Sequence, residues 1–170
     1  MPLTEAALAR SRELPDADPL AMPLAEYLHE HVDEELGHDE TLLDDLELIG
    51  VDRGSAVARM PSPAVAALVG SQYYWIRHHH PVAFLGFVGV MEGYPPTTEL
   101  IEELIERTGF PPEAFRTYVE HADLDPGHRD HLDRTLDALP LTAEHESAIG
   151  VSAIASAGLA ARALEELLDG

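Results

Sequence analysis

The punctuation of this chain restricts its fold more than any other feature. Thirteen prolines and twelve glycines separate stretches in which apolar residues recur at helical spacing, and no stretch sustains the period-two alternation of a half-buried strand. Proline lacks the backbone donor and clashes with the preceding turn, so it opens or closes helices. Five helical segments are predicted. The first runs from Leu24 to Ile49, with Leu28, Val32, Leu36, Leu42, Leu43 and Leu46 on its apolar face. The second runs from Pro63 to Glu92 with a kink at Pro81, and the third from Thr98 to Thr108, stopped by Gly109. The fourth, Pro112 to Leu139, is interrupted at Pro126-Gly127, and the fifth runs from an N-cap at Thr142 to Leu168. The expected fold class is all-α, a single helical bundle over residues 21–170. Residues 1–20 read as an irregular or weakly helical lead-in.

Charge narrows the range of partners. Thirty-two acidic residues face ten basic ones, for a formal net charge of −22. Such a chain repels phosphate backbones and anionic lipid, so neither nucleic acid nor a membrane surface is an expected partner. All ten basic residues are arginine and cysteine is absent. That removes lysine and thiol nucleophiles, disulfides, Fe–S clusters and cysteine-based zinc sites. A hydrophobic fraction of 45% suffices for a core. The apolar runs Pro81–Met91 and Ala148–Ala161 read as too short to span a bilayer. The N-terminus, with Glu5, Arg10, Arg12 and Glu13, lacks the apolar centre of a signal peptide. The expected location is cytoplasmic.

The chemistry lies in the register of the ten histidines. His31, Glu35 and His38 stand at offsets of four and seven. At about 100° per residue this brings the three side chains within roughly 60° of helical arc. His121, Asp125 and His128 repeat the same His-x3-acid-x2-His spacing. Each string contains an acid-x-x-His pair, which carboxylate-bridged dimetal bundles use to offer an oxygen and an imidazole to one metal. Either string alone could arise by chance on an acidic, histidine-rich chain. The repetition, together with Glu92 at the end of the apolar run Phe84–Met91, favours a metal, because a carboxylate there is costly to bury without a cation. Asp125 also reads as an N-cap for a helix starting at Pro126, in a segment expected to be unwound until metal binds. Nitrogen and oxygen donors without sulfur suit Fe(II) or Mn(II).

The strings His31-Val32-Asp33-Glu34-Glu35-Leu36-Gly37-His38, Gln72-Tyr73-Tyr74, His80-Pro81-Val82-Ala83-Phe84-Leu85-Gly86, Met91-Glu92-Gly93 and Glu120-His121-Ala122-Asp123-Leu124-Asp125-Pro126-Gly127-His128 resemble the iron-containing redox enzyme family. That family belongs to the haem-oxygenase-like diiron oxidases and oxygenases. The similarity spans about Leu24 to Leu168. It implies a haem-oxygenase-like bundle, somewhat truncated, in which Glu35, His38, Glu92, His121, Asp125 and His128 hold two Fe(II) ions, with Mn as the alternative metal. The first-helix carboxylate stays open between Glu35 and Glu34, and His31 occupies the position some relatives give to it. The resemblance further implies O2 activation and oxidation of a small organic acid or amine, by oxidative decarboxylation, C–C cleavage or N-oxygenation. The family fold is usually described with more helices than are predicted here, and a partner copy in a homodimer would replace a missing one. The absence of lysine closes the route in which the protein sacrifices its own amino group.

Tyr73 and Tyr74 are candidates to line the pocket, and Arg77, Arg116 and Arg129 to anchor a substrate carboxylate. Of the consecutive His78, His79 and His80, at most two can face one site, and His131 reads as exposed or outside the ligand set. Two other readings are a non-catalytic metal-binding bundle and a haem-handling protein of the same fold.

Overall fold

The computed structural model describes residues 2–168, apart from the side chain of Asp125. Among the described residues the architecture is all-α, with nine α-helices and no strand. They are α1 (Pro2–Arg12), α2 (Ala21–Glu34), α3 (His38–Leu48), α4 (Arg53–Ala58), α5 (Pro63–His78), α6 (Phe84–Met91), α7 (Thr98–Thr108), α8 (Arg116–Ala138) and α9 (Ala143–Glu165). Short 3-10 turns at Pro81–Ala83 and Pro112–Phe115 lead into α6 and α8.

Several helix ends follow from side-chain chemistry. Ser62 caps α5 and Thr97 caps α7, each accepting a hydrogen bond from a backbone N–H of the first turn. Thr142 and His145 form a reciprocal capping box at the start of α9. Gly109 ends α7 in the left-handed region, with φ of 67°.

The structure revises four sequence readings. Of the irregular or weakly helical lead-in expected, residues 2–12 form a full helix, α1, because Thr4, Ala7, Leu8 and Ser11 make one buried stripe against α2. Polar Thr4 and Ser11 hide that stripe in the sequence, and the Ser11 hydroxyl is satisfied internally on the Ala7 carbonyl at 2.8 Å. The first predicted helix is two, broken at Gly37, whose φ of 95° belongs to the region that favours glycine. The fourth is not interrupted: α8 runs through Pro126. Asp125 is therefore mid-helix and not an N-cap. Lastly, the apolar stretch Ala148–Ala161 is part of 23-residue α9, which by length and composition could cross a bilayer.

Two layers of packing position the site. Leu20, Leu24, Tyr27 and Leu28 of the α2 region meet Ile76, Val82, Phe84, Leu85 and Val88 in one core, which Leu132 of α8 closes. Burying each large aliphatic side chain contributes about 1.5–3 kcal/mol. Helix α6 approaches α9 backbone to backbone: a Cβ on Gly86 would lie 2.2 Å from the Ile149 carbonyl oxygen. Gln72 of α5, fully buried, is held by α9, donating to Ser156 Oγ at 3.1 Å and accepting from Ser152 Oγ at 3.2 Å. This amide serves the packing of α5 on α9.

Candidate metal centre

Three chain segments bring the candidate ligands together. At the end of α2 the backbone is still helical at Glu35, whose N–H donates to the His31 carbonyl at 3.1 Å, so His31 and Glu35 share a face. The chain then turns at Gly37 and restarts at His38, leaving His38 Nδ1 3.2 Å from Glu35 Oε2. From the second segment, Glu92 follows the last turn of apolar α6, with its N–H bonded to the Val88 carbonyl at 2.9 Å. The third is α8, which carries His121 and His128.

The donors fall into two groups that share one carboxylate. Glu35, His38 and His121 can each place one donor atom within 4.8 Å of the others, and so can His31, Glu35 and Glu92. His31 Nε2 lies 3.2 Å from Glu92 Oε1. His128 Nδ1 stands between the two carboxylates, 3.7 Å from Glu35 Oε1 and 3.8 Å from Glu92 Oε2. The rings of His38 and His121 meet edge to face with centroids 4.9 Å apart. Thus the structure gathers Glu35, His38, Glu92, His121, His128 and the alternate His31, while the side chain of Asp125 lies outside the described residues. Glu34 stands one layer out, with Oε2 3.8 Å from His31 Nδ1 and Oε1 3.6 Å from His131 Nδ1.

The arrangement fits a bound cation. Glu35 Oε1 and Glu92 Oε2 are inaccessible to solvent and have no hydrogen-bond partner among the described residues, a state that costs about 1–3 kcal/mol or more for a charged acceptor. A divalent ion would satisfy both. His121 is already oriented to bind such an ion. Its Nδ1–H donates to the Thr117 carbonyl at 2.7 Å, which leaves the Nε2 lone pair free toward the centre. Burial acts to lower the pKa of His31, which is 3% exposed, but the hydrogen bond and charge of Glu92, with Glu35 and Glu34 behind it, hold it above its ordinary value.

One residue at the centre carries no distinguishing sequence signal. Tyr27, one turn before His31, is buried and stacks on the His31 ring with centroids 5.8 Å apart and planes 9° from parallel. Burial, then the charges of Glu92, Glu34 and Glu35, push its hydroxyl pKa up, so it stays protonated. The helical offset of four was the available clue, masked by the apolar role that a tyrosine also fills. Tyr73 and Tyr74 do not take the expected pocket positions. Tyr74 is exposed on α5 against Trp75 and His78, and Tyr73 lies under the Arg77 guanidinium at 5.5 Å. His80 is structural: it caps the turn into α6 through Val82 N–H and lies 3.3 Å from Asp18.

The fold has a solved counterpart. A domain of unknown function with a heme oxygenase-like fold from Shewanella denitrificans superposes with a TM-score of 0.83 at 21% identity, over 98% of this chain and 71% of that one. The molecule is thus a haem-oxygenase-like helical bundle with a carboxylate and histidine cluster at its centre. Within that class, the sequence pattern of the iron-containing redox enzymes matches residues 6–163, and the chain belongs to that family. No functionally curated protein matches it.

Proposed function

We propose that this chain is a nonhaem diiron oxidase or oxygenase that uses O2 to oxidise a small organic acid or amine, by oxidative decarboxylation, C–C cleavage or N-oxygenation. The observation that carries the proposal is the sharing of Glu35 by two donor groups: a carboxylate common to both is what a two-metal site would require. On this reading Glu35, His38 and His121 would hold one iron, and His31, Glu35, Glu92 and His128 would hold the other. Asp125, on the same helix as His121 and His128, is the further ligand proposed from its spacing. Mn(II) is the alternative occupant, since the donor set is the same oxygen and nitrogen mixture. An iron pair bound here would supply two of the electrons that reduce O2, the substrate supplying the others.

The remaining groups bind, orient and exclude water. Thr117 fixes the tautomer of His121 through its carbonyl. Tyr27 shields His31 as a neutral ring. A cavity of about 280 Å³ beside His121 is walled by Leu42, Met91, Tyr94, Thr117 and Tyr118 and suits a small, mainly apolar substrate fragment. A second, of about 210 Å³, is lined by both Arg129 and Glu92. Of the three arginines considered from sequence, Arg129, which lines this cavity with Asp133 at 4.0 Å from its Nε, is the one proposed to anchor a substrate carboxylate. Arg77 covers Tyr73, and Arg116 is bonded to Asp45 at 3.0 Å.

A haem-handling role is disfavoured because His31, His38 and His128 each have a carboxylate within ion-pair distance. A metal-binding bundle without catalysis is distinguished by experiment. Protein loaded with Fe(II) under anaerobic conditions is expected to consume O2 on mixing and to gain near-ultraviolet ferric absorption. Protein that holds iron and consumes no O2, with or without candidate acids and amines, would overturn the proposal.

A further inference from the structure

Helix α3 is attached to the bundle in an unusual way. Among its described residues Asp45 alone is buried, at 3% exposure, while Leu43 and Leu46 are only half-buried, so a carboxylate is the most deeply covered side chain of a helix that would normally dock by apolar residues. The Asp45 carboxylate is spent entirely on the start of α8. Its Oδ2 accepts from both the N–H and the hydroxyl of Thr117 at 2.8 Å, and Oδ1 accepts from Arg116 Nε at 3.0 Å. Arg116 Nη2 also lies 3.7 Å from Asp44.

The register of this clamp links it to the metal centre. His38 and Asp45 are seven residues apart on α3, two turns or about 10 Å along one face; Thr117 and His121 are four apart on α8, one turn. The two helices are therefore pinned twice, by Asp45 on Thr117 and by His38 beside His121. The same Thr117 that Asp45 grips offers its carbonyl to His121 Nδ1–H at 2.7 Å. We infer that Asp45 is a positioning residue for the metal centre: by fixing the first turn of α8 through Thr117, it sets the height and ring orientation of His121 relative to His38 and Glu35. The inference rests on the two-metal reading above. It adds that the carboxylate selecting the geometry of one ion lies two turns from the nearest ligand on its own helix and touches no metal.

Titration of the full-length protein with Co(II), followed by visible absorption and calorimetry, tests the assignment. Wild type is expected to take up two Co(II) per chain. Asp45→Ala should weaken one of them by 10–100-fold, the range seen when a partner behind a metal ligand is removed, and leave the other unchanged. His121→Ala should weaken the same ion. In the His121→Ala background the Asp45 substitution should then cause no further loss, because it acts through that imidazole. Asp45→Asn, which keeps an acceptor for Thr117, should recover part of the affinity. If Asp45→Ala lacks native helicity, Thr117→Val, which deletes only the hydroxyl donor, should still weaken the same ion several-fold. Unchanged affinity in these variants, or losses that add in the double variant, would overturn the positioning role while the two-metal reading stands. A wild type that takes up no Co(II) would overturn both.

Discussion

The pairing of α6 with α9 and the pairing of α3 with α8 are built on opposite principles. In the first, contact is close and apolar or small: Gly86 leaves no room for a methyl group against α9, and the neighbouring α5 is fastened to the same α9 by its buried Gln72, whose amide has partners on Ser152 and Ser156. In the second, Asp45 of α3 grips Thr117 and Arg116 of α8 and His38 faces His121, beside Glu35 and Glu92, whose Oε1 and Oε2 lack hydrogen-bond partners among the described residues; Asp45 is the one buried residue of α3. Stability is concentrated where the chain is saturated and binding capacity where it is not. Glu92 joins the two regimes, because it is the residue at which the apolar helix α6 ends and the ligand cluster begins.

Substitutions on either side should separate these roles. The largest effect is expected from Gly86→Val, which drives side-chain carbon into the Ile149 carbonyl and the Ala153 N–H, 2.2 and 2.8 Å from the ideal Cβ position. Urea unfolding should show a loss of roughly 3 kcal/mol or more. Next comes Glu35→Ala, which removes the shared carboxylate. Iron retention after desalting should fall by roughly a hundredfold or more at both positions, while the metal-free protein unfolds at the same or higher urea concentration, since a buried unsatisfied oxygen has been deleted. If the metal-free form were destabilised by several kcal/mol, the proposed division of labour would fail.

Two smaller effects sharpen the contrast. Gln72→Leu strands the Ser152 and Ser156 hydroxyls and should cost about 2 kcal/mol in urea unfolding with iron content unchanged. His80 gives the mildest signal. Burial, partly opposed by Asp18, holds its pKa below the ordinary value of 6.5, so the unfolded chain takes up this proton first as pH falls. Stability from this group is present above pH 6.5 and declines as pH drops toward the lowered folded value. His80→Asn, which keeps the cap on Val82, should flatten that decline below pH 6.5, measured by unfolding at a series of pH values.

Much of this was visible in the residues because local rules and tertiary demands agree there. Helix α7 begins at Thr97 and ends at Gly109 as its capping residues dictate, and α9 begins at Thr142 for the same reason. The His31, Glu35, His38 spacing led to the cluster even though the helix assumed to carry it is broken at Gly37. Glu35 and His38 stay neighbours across the break because the turn between them is closed by the His38 N–H on the Glu35 carbonyl at 3.4 Å. The α1 stripe was hidden by Thr4 and Ser11, whose polarity argues against burial until the hydroxyls are seen to be satisfied or covered. Pro126 was misleading in the other direction, since α8 continues through a residue whose intrinsic cost in a helix is about 3 kcal/mol. Asp45 was out of reach: a carboxylate in an acidic surface helix gives no sign that its partners lie some seventy residues away.

The most direct test of the central claim is the metal content of the protein as isolated and after anaerobic reconstitution with Fe(II), measured per chain by plasma emission spectrometry. Close to two irons per chain, falling below one in Glu35→Ala, is the expected result. A single tightly held zinc, or iron content indifferent to Glu35, would contradict it.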